Sequence, residues 1–92
     1  MPEVIVTAEV ENPSVWEERF RTHGDIFKQY TVKKPVRFSL GEGNRIAVSF
    51  EPEDVDTLMK SMKSEVTTKA MASDGVKRDS VRIFVLDKSV KI

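Results

Sequence analysis

Segments with the hydrophobic period of a strand alternate with segments that have the period of a helix along the 92 residues of this chain. From Val4 to Glu11, apolar and polar side chains alternate with a period of two, which is typical of a strand with one buried face. The same period returns at 36–40, 46–50 and 81–86, so each of these segments also predicts a strand. The turn sequence Gly41-Glu42-Gly43-Asn44 joins the second and third strands and supplies the glycines that a hairpin favours.

The segment after the first strand predicts a helix. Asn12 can cap this helix, and Pro13 suits its first position. Aromatic and imidazole side chains then recur at spacings of four and three, which places five of them on one side of the helix: Trp16, Phe20, His23, Phe27 and Tyr30. The helix is expected to close by Lys33 or Lys34, because Pro35 cannot lie far inside it. Gly24 weakens the helix and can kink it or end it earlier.

A second helical period begins at Pro52 and is followed by acidic residues in its first turn. Its apolar positions are Val55, Leu58, Met59, Met62, Val66, Ala70 and Met71. The hydroxyl side chains at 64, 67 and 68 predict a bend or a break into two short helices. Asp74-Gly75 predicts the C-terminal stop, and the tail over 88–92 is expected to be exposed.

The element order is therefore βαββαβ, without an internal repeat or a linker. A chain of this length holds one core, so we expect a single domain over residues 1–92. Right-handed crossovers turn this order into an α+β ferredoxin-like fold, in which a four-stranded antiparallel sheet carries its helices on one face.

The alternating residues divide the predicted sheet into two faces. The helix-covered face is expected to carry Val4, Val6, Ala8, Val10, Val36, Phe38, Leu40, Ile46, Val48, Phe50, Val81, Ile83 and Val85. The open face is expected to carry Ile5, Thr7, Glu9, Arg37, Ser39, Arg45, Ala47, Ser49, Arg82, Phe84 and Leu86. Apolar groups on this second face predict that two copies pair through it as a symmetric homodimer.

Composition excludes several classes of function. Fifteen basic residues balance fifteen acidic ones, so no overall field attracts nucleic acid or an anionic membrane. With one histidine and no cysteine, no metal site can be completed locally, and we expect neither a metal nor another cofactor. No apolar run approaches the ~20 residues that span a bilayer, and the N-terminus lacks a signal-peptide pattern, so the expected location is the cytoplasm.

Three segments resemble the small dimeric α/β-barrel proteins of the ferredoxin-like class. The segments are Trp16-x3-Phe20-x2-His23, the hairpin end over 44–50 with its acidic continuation to Asp54, and 70–76. That superfamily includes antibiotic-biosynthesis-type monooxygenases, small polyketide cyclases and many uncharacterised stand-alone domains. The resemblance implies that two sheets pack into a barrel and that each subunit keeps a pocket between its helices and its sheet. The Asn-Trp-His arrangement of the haem-degrading members is absent, which argues against haem degradation.

His23 is the candidate catalytic residue. An imidazole that faces an aromatic-lined cleft can act as a general acid or base near neutral pH. The alternative is a packed boundary histidine that a backbone carbonyl satisfies, because no carboxylate lies at a fixed local spacing to orient the ring. Glu9, Asp56 and Asp74 are carboxylates that the fold can bring close, but sequence does not choose among them.

The candidate pocket residues are Trp16, Phe20, Phe27, Tyr30, Met59 and Met62, with Met71 as a further adaptable side chain. Plain core packing is the alternative for each of them, and it is the favoured interpretation for Trp16, Phe20 and the methionines. Two rival sites fail on pattern. The Gly-x-Gly of the hairpin turn opens no helix and so is no phosphate loop, and the open face has only Phe84 as an aromatic for stacking on RNA bases.

Two functions follow from the sequence. The first is a dimeric protein that binds a small hydrophobic or aromatic molecule, with an activity like that of a cofactor-independent monooxygenase or a cyclase. The second is a non-catalytic module that binds a ligand or another protein. Replacement of His23 separates them, because only the enzyme would lose turnover while its fold persists.

Overall fold

The computed structural model describes residues 3–24 and 35–91. Its strands are β1 (Glu3–Val10), β2 (Arg37–Leu40), β3 (Arg45–Phe50) and β4 (Val76–Leu86). The helices in the described residues are α1 (Pro13–Phe20), α2 (Val55–Met62) and α3 (Glu65–Ser73).

The four strands form one antiparallel sheet in the order β2-β3-β1-β4. The central strand β1 pairs with β3 through contacts such as Val6 opposite Val48, and with β4 through Val6 opposite Ile83. The predicted hairpin joins β2 and β3, and Gly43 in its turn has a positive φ of 63° that favours glycine. The ferredoxin-like prediction is confirmed.

The core lies on the helix-covered face of the sheet. Buried side chains alternate along β1 and β3 and meet one aromatic and one aliphatic side chain from the helices: Val4, Val6, Ala8, Val10, Trp16, Ile46, Val48, Phe50 and Leu58. Leu40 lies on the predicted face, opposite the buried Ile46, but its side chain is 43% exposed. It lies at the last position of β2, which is an edge strand, and there the helices do not cover it.

Helix α1 ends earlier than the aromatic period predicts. The prediction has the helix close by Lys33 or Lys34, with a kink or an early end allowed at Gly24. α1 ends at Phe20, and the predicted closure lies outside the described residues. Two bonds of the i→i−3 type follow, from the Thr22 N–H to the Arg19 carbonyl at 3.0 Å and from the His23 N–H to the Phe20 carbonyl at 3.1 Å. The Thr22 hydroxyl also donates to the Arg19 carbonyl at 2.6 Å. These tighter bonds, with a β-branched residue at 22, end the α-helix.

The second helical period is divided as predicted. The Ser64 side chain caps α3, and its hydroxyl accepts from the Thr67 N–H at 3.3 Å. Pro52 does not open α2; it is buried before the helix, and Asp54 is the N-cap. Hydrogen bonds from the Thr57 hydroxyl and the Thr57 N–H lower the pKa of the Asp54 carboxyl. No helix among the described residues is both long and apolar enough to cross a membrane.

Strand β4 begins five residues before the predicted start at Val81. Its register against β1 shifts between Thr7 and Glu9, where a bulge interrupts the ladder. There the Ser80 hydroxyl accepts from the Glu9 N–H at 2.8 Å and donates to the Lys77 carbonyl at 2.5 Å. The bulge breaks the alternation of polar and apolar residues, which is why the sequence pattern missed 76–80.

We expect Leu58→Ala to lower the free energy of unfolding by about 2–5 kcal/mol, because this side chain is fully buried and its removal leaves a cavity. The matched variant Leu40→Ala removes the same atoms from an exposed position and should cost less than about 1 kcal/mol. Denaturant midpoints at unchanged slope measure both. Equal losses of unfolding free energy in the two variants would contradict the exposed position of Leu40.

Candidate functional site

A cavity of about 70 Å³ lies between the helix-covered face of the sheet and the helices. Its lining residues come from β1, β3, β4, α1, α2 and α3: Val6, Ala8, Trp16, Phe20, His23, Ile46, Val48, Phe50, Met62, Thr67, Ala70, Met71, Asp74, Val76 and Val81. This lining is apolar apart from the imidazole, the Thr67 hydroxyl and the Asp74 carboxyl. An apolar cavity with a few converging polar groups is the usual form of a small-molecule site.

The imidazole and the carboxylate lie against each other in this lining. His23 Nε2 lies 2.6 Å from Asp74 Oδ2. The His23 side chain is 21% exposed, and that of Asp74 is 5% exposed. The two groups are therefore close enough for a hydrogen bond, which is stronger than one between neutral groups when the carboxyl is ionised.

Local geometry explains how each partner reaches this point. The i→i−3 turn after α1 has close to three residues per turn, so the side chains of Phe20 and His23 eclipse each other. The imidazole therefore stays on the buried side although the helix has ended. Asp74 is the C-cap of α3, and Gly75 follows it with a positive φ of 78°, which favours glycine there.

Two further contacts hold these chain segments together. A guanidinium nitrogen of Arg19 donates to the carbonyl of Ser73, the last residue of α3. The Glu11 N–H, just beyond β1, donates to the Gly75 carbonyl at 2.9 Å. The ends of α1 and α3 are thus fixed beside the sheet, so the His23–Asp74 geometry does not depend on one contact alone.

The contact with Asp74 sets the state of the imidazole. When the Asp74 carboxyl is ionised it can only accept hydrogen bonds, so Nε2 then carries the hydrogen and donates it to Oδ2. In the neutral ring, Nδ1 then holds the lone pair. This tautomer leaves a nitrogen that can take up a proton, and the same pairing of carboxylate and imidazole orients the base in the Ser-His-Asp triad.

Asp74 has a second, unusual property. Its other oxygen, Oδ1, is buried and has no hydrogen-bond partner among the described residues. Buried polar atoms are nearly always satisfied, because an unpaired acceptor costs about 1–3 kcal/mol. The carboxyl therefore has one oxygen bonded to His23, and the other is enclosed by the surrounding side chains.

Aromatic side chains close one end of the cavity lining. The Trp16 and Phe20 rings stack with centroids 4.6 Å apart. Phe38 meets both rings edge-on, at 5.6 Å from Trp16 and 5.3 Å from Phe20. The Arg21 guanidinium lies 5.1 Å from the centroid of the Phe38 ring on the outer side. This cluster fixes the Trp16 ring while leaving Phe20 partly exposed.

The structure brings four of the predicted site residues together at the cavity: Trp16, Phe20, His23 and Met62. Met71 joins them. It does not bring Met59 there, because that side chain lies over a surface hollow with Asp56, Lys60 and Lys63. The predictions for Phe27 and Tyr30 concern positions outside the described residues.

Sequence reasoning did not identify Asp74 as the partner of His23. The two residues are 51 positions apart, and Asp74 reads in the sequence as part of a helix stop. Negative charge is unfavourable at the C-terminal end of a helix. A carboxylate at a C-cap position therefore hints at another role for that residue, but the hint is weak. The described residues hold no group of three or more potential metal ligands.

Comparison with known proteins finds solved structures of the same fold but no protein of similar sequence. No protein-family model matches the sequence, and no curated protein matches it. A solved structure of a protein from Bordetella bronchiseptica, assigned as an antibiotic biosynthesis monooxygenase, superposes with a TM-score of 0.75 at 12% identity over 97% of each chain.

Two other solved structures match with similar completeness. A mutant of SnoaB, a cofactor-independent oxygenase from Streptomyces nogalater, superposes with a TM-score of 0.64 at 11% identity over 99% of this chain and 95% of that one. An ethyl tert-butyl ether degradation family protein from Bacillus halodurans gives 0.61 at 14% identity over 97% and 99%. At these identities the likeness shows a shared fold, and it confirms at that level the resemblance drawn from the sequence.

We expect a double-mutant cycle on His23→Ala and Asp74→Ala to give a coupling energy of about 1–2 kcal/mol in the free energy of unfolding, because the two groups form one largely buried contact. The matched cycle on Glu17→Ala and Arg21→Ala probes an exposed pair at 3.0 Å and should give no more than about 0.5 kcal/mol. Both are measured by chemical denaturation. A coupling energy between His23 and Asp74 as small as that of the exposed pair would contradict the buried contact between them.

Proposed function

We propose that this protein binds a small hydrophobic or aromatic molecule in the cavity beside His23 and acts on it as a cofactor-independent monooxygenase or cyclase-like enzyme. The observation that carries the proposal is the His23–Asp74 contact at 2.6 Å in the wall of an apolar cavity. The shared fold with an oxygenase that works without a cofactor supports it but does not carry it.

His23 is the proposed general base. Its orientation by Asp74 leaves a ring nitrogen to take a proton, and the apolar lining strengthens charge interactions inside the cavity. An oxygenase without a bound cofactor has to activate its substrate, and removal of a proton raises the electron density of an aromatic alcohol or a carbon acid. Cyclisation by carbon–carbon bond formation begins with the same proton transfer. The proposed chemistry therefore needs one base and no metal ligand set.

The ligand has to be small, and the cavity has to open for it. A cavity that holds benzene measures about 150 Å³, about twice the 70 Å³ here. The lining residues from β1 and β3 are buried, whereas Phe20, Met62 and Met71 are only partly buried. Movement of these adaptable side chains would admit one ring or two fused rings.

We also propose that the protein is a homodimer through the open face of the sheet. Phe84 and Leu86 are each 52% exposed there, and Ile5 lies opposite Phe84 in the β1–β4 ladder. The face also carries charges of both signs, such as Glu3 with Arg37 at 3.2 Å, so it is complementary to itself.

The alternative is a non-catalytic ligand-binding or interaction module. The same aromatic cluster and the same cavity would then hold a ligand without changing it, and His23 would serve only to bind Asp74. Binding is common to both functions, so only a chemical readout separates them.

We expect the protein to catalyse proton exchange in 2-indanone, a small fused-ring carbon acid, because His23 can remove a hydrogen next to its carbonyl. Deuterium incorporation followed by proton NMR without oxygen measures this step. His23→Gln, which keeps a polar side chain but removes the base, should lower the catalysed rate by about 100-fold or more. The matched variant Arg78→Gln, at an exposed position, should keep it.

Oxygen uptake by the same mixture in air, without added metal or flavin, distinguishes the two enzymes. Uptake that depends on His23 supports the monooxygenase, and exchange without uptake supports the cyclase-like activity. Binding of 2-indanone with no exchange above the solvent rate would instead indicate the non-catalytic module.

We expect Phe84→Lys to convert the dimer into a monomer, because it places a charge in the apolar centre of the proposed interface. Sedimentation velocity at micromolar concentration measures the mass. Val66→Lys is the matched control, since Val66 is 50% exposed on α3, on the helix side of the sheet, and should leave the dimer intact. A wild-type monomer under these conditions would refute the proposed assembly.

A further inference from the structure

We infer that Thr22 is a positioning residue for the proposed base: its side-chain hydroxyl keeps the His23 imidazole in contact with Asp74. The inference rests on the proposed function, because it assigns a further residue to the same site. Thr22 is exposed and lies outside the cavity lining. Its effect therefore passes through the backbone and not through contact with a ligand.

The first step concerns the backbone carbonyl of Arg19, which accepts two hydrogen bonds from one residue. The Thr22 N–H donates to it at 3.0 Å, and the Thr22 hydroxyl donates to it at 2.6 Å. A carbonyl oxygen has two lone pairs, so these two bonds fill its capacity. In a continuing α-helix the same carbonyl would instead accept from the N–H of His23, four residues further along the chain.

The second step is the consequence for His23. With the Arg19 carbonyl occupied, the His23 N–H donates to the Phe20 carbonyl, three residues back, at 3.1 Å. This tighter turn places residues 20 and 23 on the same side, whereas an α-helix would separate their directions by about 60°. Both side chains line the cavity as a result.

The third step is the size of the movement that the turn prevents. A rotation of about 60° moves even a Cα atom by about 2.3 Å, which is the radius of the helix. Asp74 would not follow, because its own N–H is bonded to the Ala70 carbonyl at 3.0 Å at the end of α3. The 2.6 Å contact between His23 Nε2 and Asp74 Oδ2 would then be lost, and the base would lose its orientation.

Two replacements of Thr22 test the hydroxyl alone. Thr22→Val removes the hydroxyl and keeps the branched shape, whereas Thr22→Ser keeps the hydroxyl. Thr68→Val is the matched control, because the Thr68 hydroxyl also donates to a backbone carbonyl, that of Ser64 at 3.0 Å, and Thr68 lies outside the cavity lining.

The first measurement is independent of activity. The chain has one histidine, so heteronuclear NMR of the isotope-labelled protein shows its ring N–H as one assignable signal. A ring N–H bonded to a largely buried carboxylate is protected from exchange with water, whereas a released one exchanges too fast to be observed. We expect the signal in the wild type, in Thr22→Ser and in Thr68→Val, and its loss in Thr22→Val.

The second measurement is the catalysed proton exchange of 2-indanone. Thr22→Val should lower kcat about tenfold or more, because the base is misplaced, and should leave KM within about twofold, because the cavity lining is unchanged. Thr22→Ser should restore kcat, and Thr68→Val should keep it, each to within about twofold of the wild-type value.

Each outcome decides. A Thr22→Val protein that keeps both the ring signal and the rate would overturn the inference. A loss of rate with the ring signal intact would also overturn it, because the hydroxyl would then act by another route. If the wild-type protein does not exchange 2-indanone, the proposed enzyme fails, and the ring signal still decides whether Thr22 positions His23. Absence of the ring signal from the wild type would refute the contact with Asp74 and this inference with it.

Discussion

The one-sided burial of the central strand β1 is the constraint on which the rest of the structure depends. Val4, Val6, Ala8 and Val10 are buried at every second position, and a shift by one residue would turn all four to the other face. Pairing with β3 and β4 then places the apolar side chains of both neighbours on the same side. That side forms the floor of the cavity, and the opposite side is left as the open face.

The helices complete the cavity at a point where two chain ends meet. The turn after α1 presents His23, and the C-cap of α3 presents Asp74, so neither group comes from a regular element. Chain ends are where unpaired backbone groups and unusual side-chain directions are available. The Arg19 contact with the Ser73 carbonyl fixes this junction, and the proposed base gains a defined orientation from it.

The fold was predictable because its elements follow two regular periods, and alternation correctly assigned both faces of β1 and β3. The periods did not reveal three local events: the i→i−3 turn at Thr22, the exposure of Leu40 at the end of β2, and the bulge at Ser80. The aromatic period found Trp16 and Phe20. Asp74 was missed as the partner of His23 because its contact arises from folding and has no fixed spacing in sequence.

The burial of Asp74 also bears on whether His23 has a structural or a functional role. A purely structural pair would be expected to satisfy both carboxylate oxygens or to be replaced by apolar packing, because an unpaired buried acceptor is unfavourable. Here one oxygen has no partner among the described residues, and it belongs to a residue that lines a cavity. Such a cost is tolerated most often at functional sites, as strain is. The arrangement therefore favours a functional role for His23 over a purely structural one.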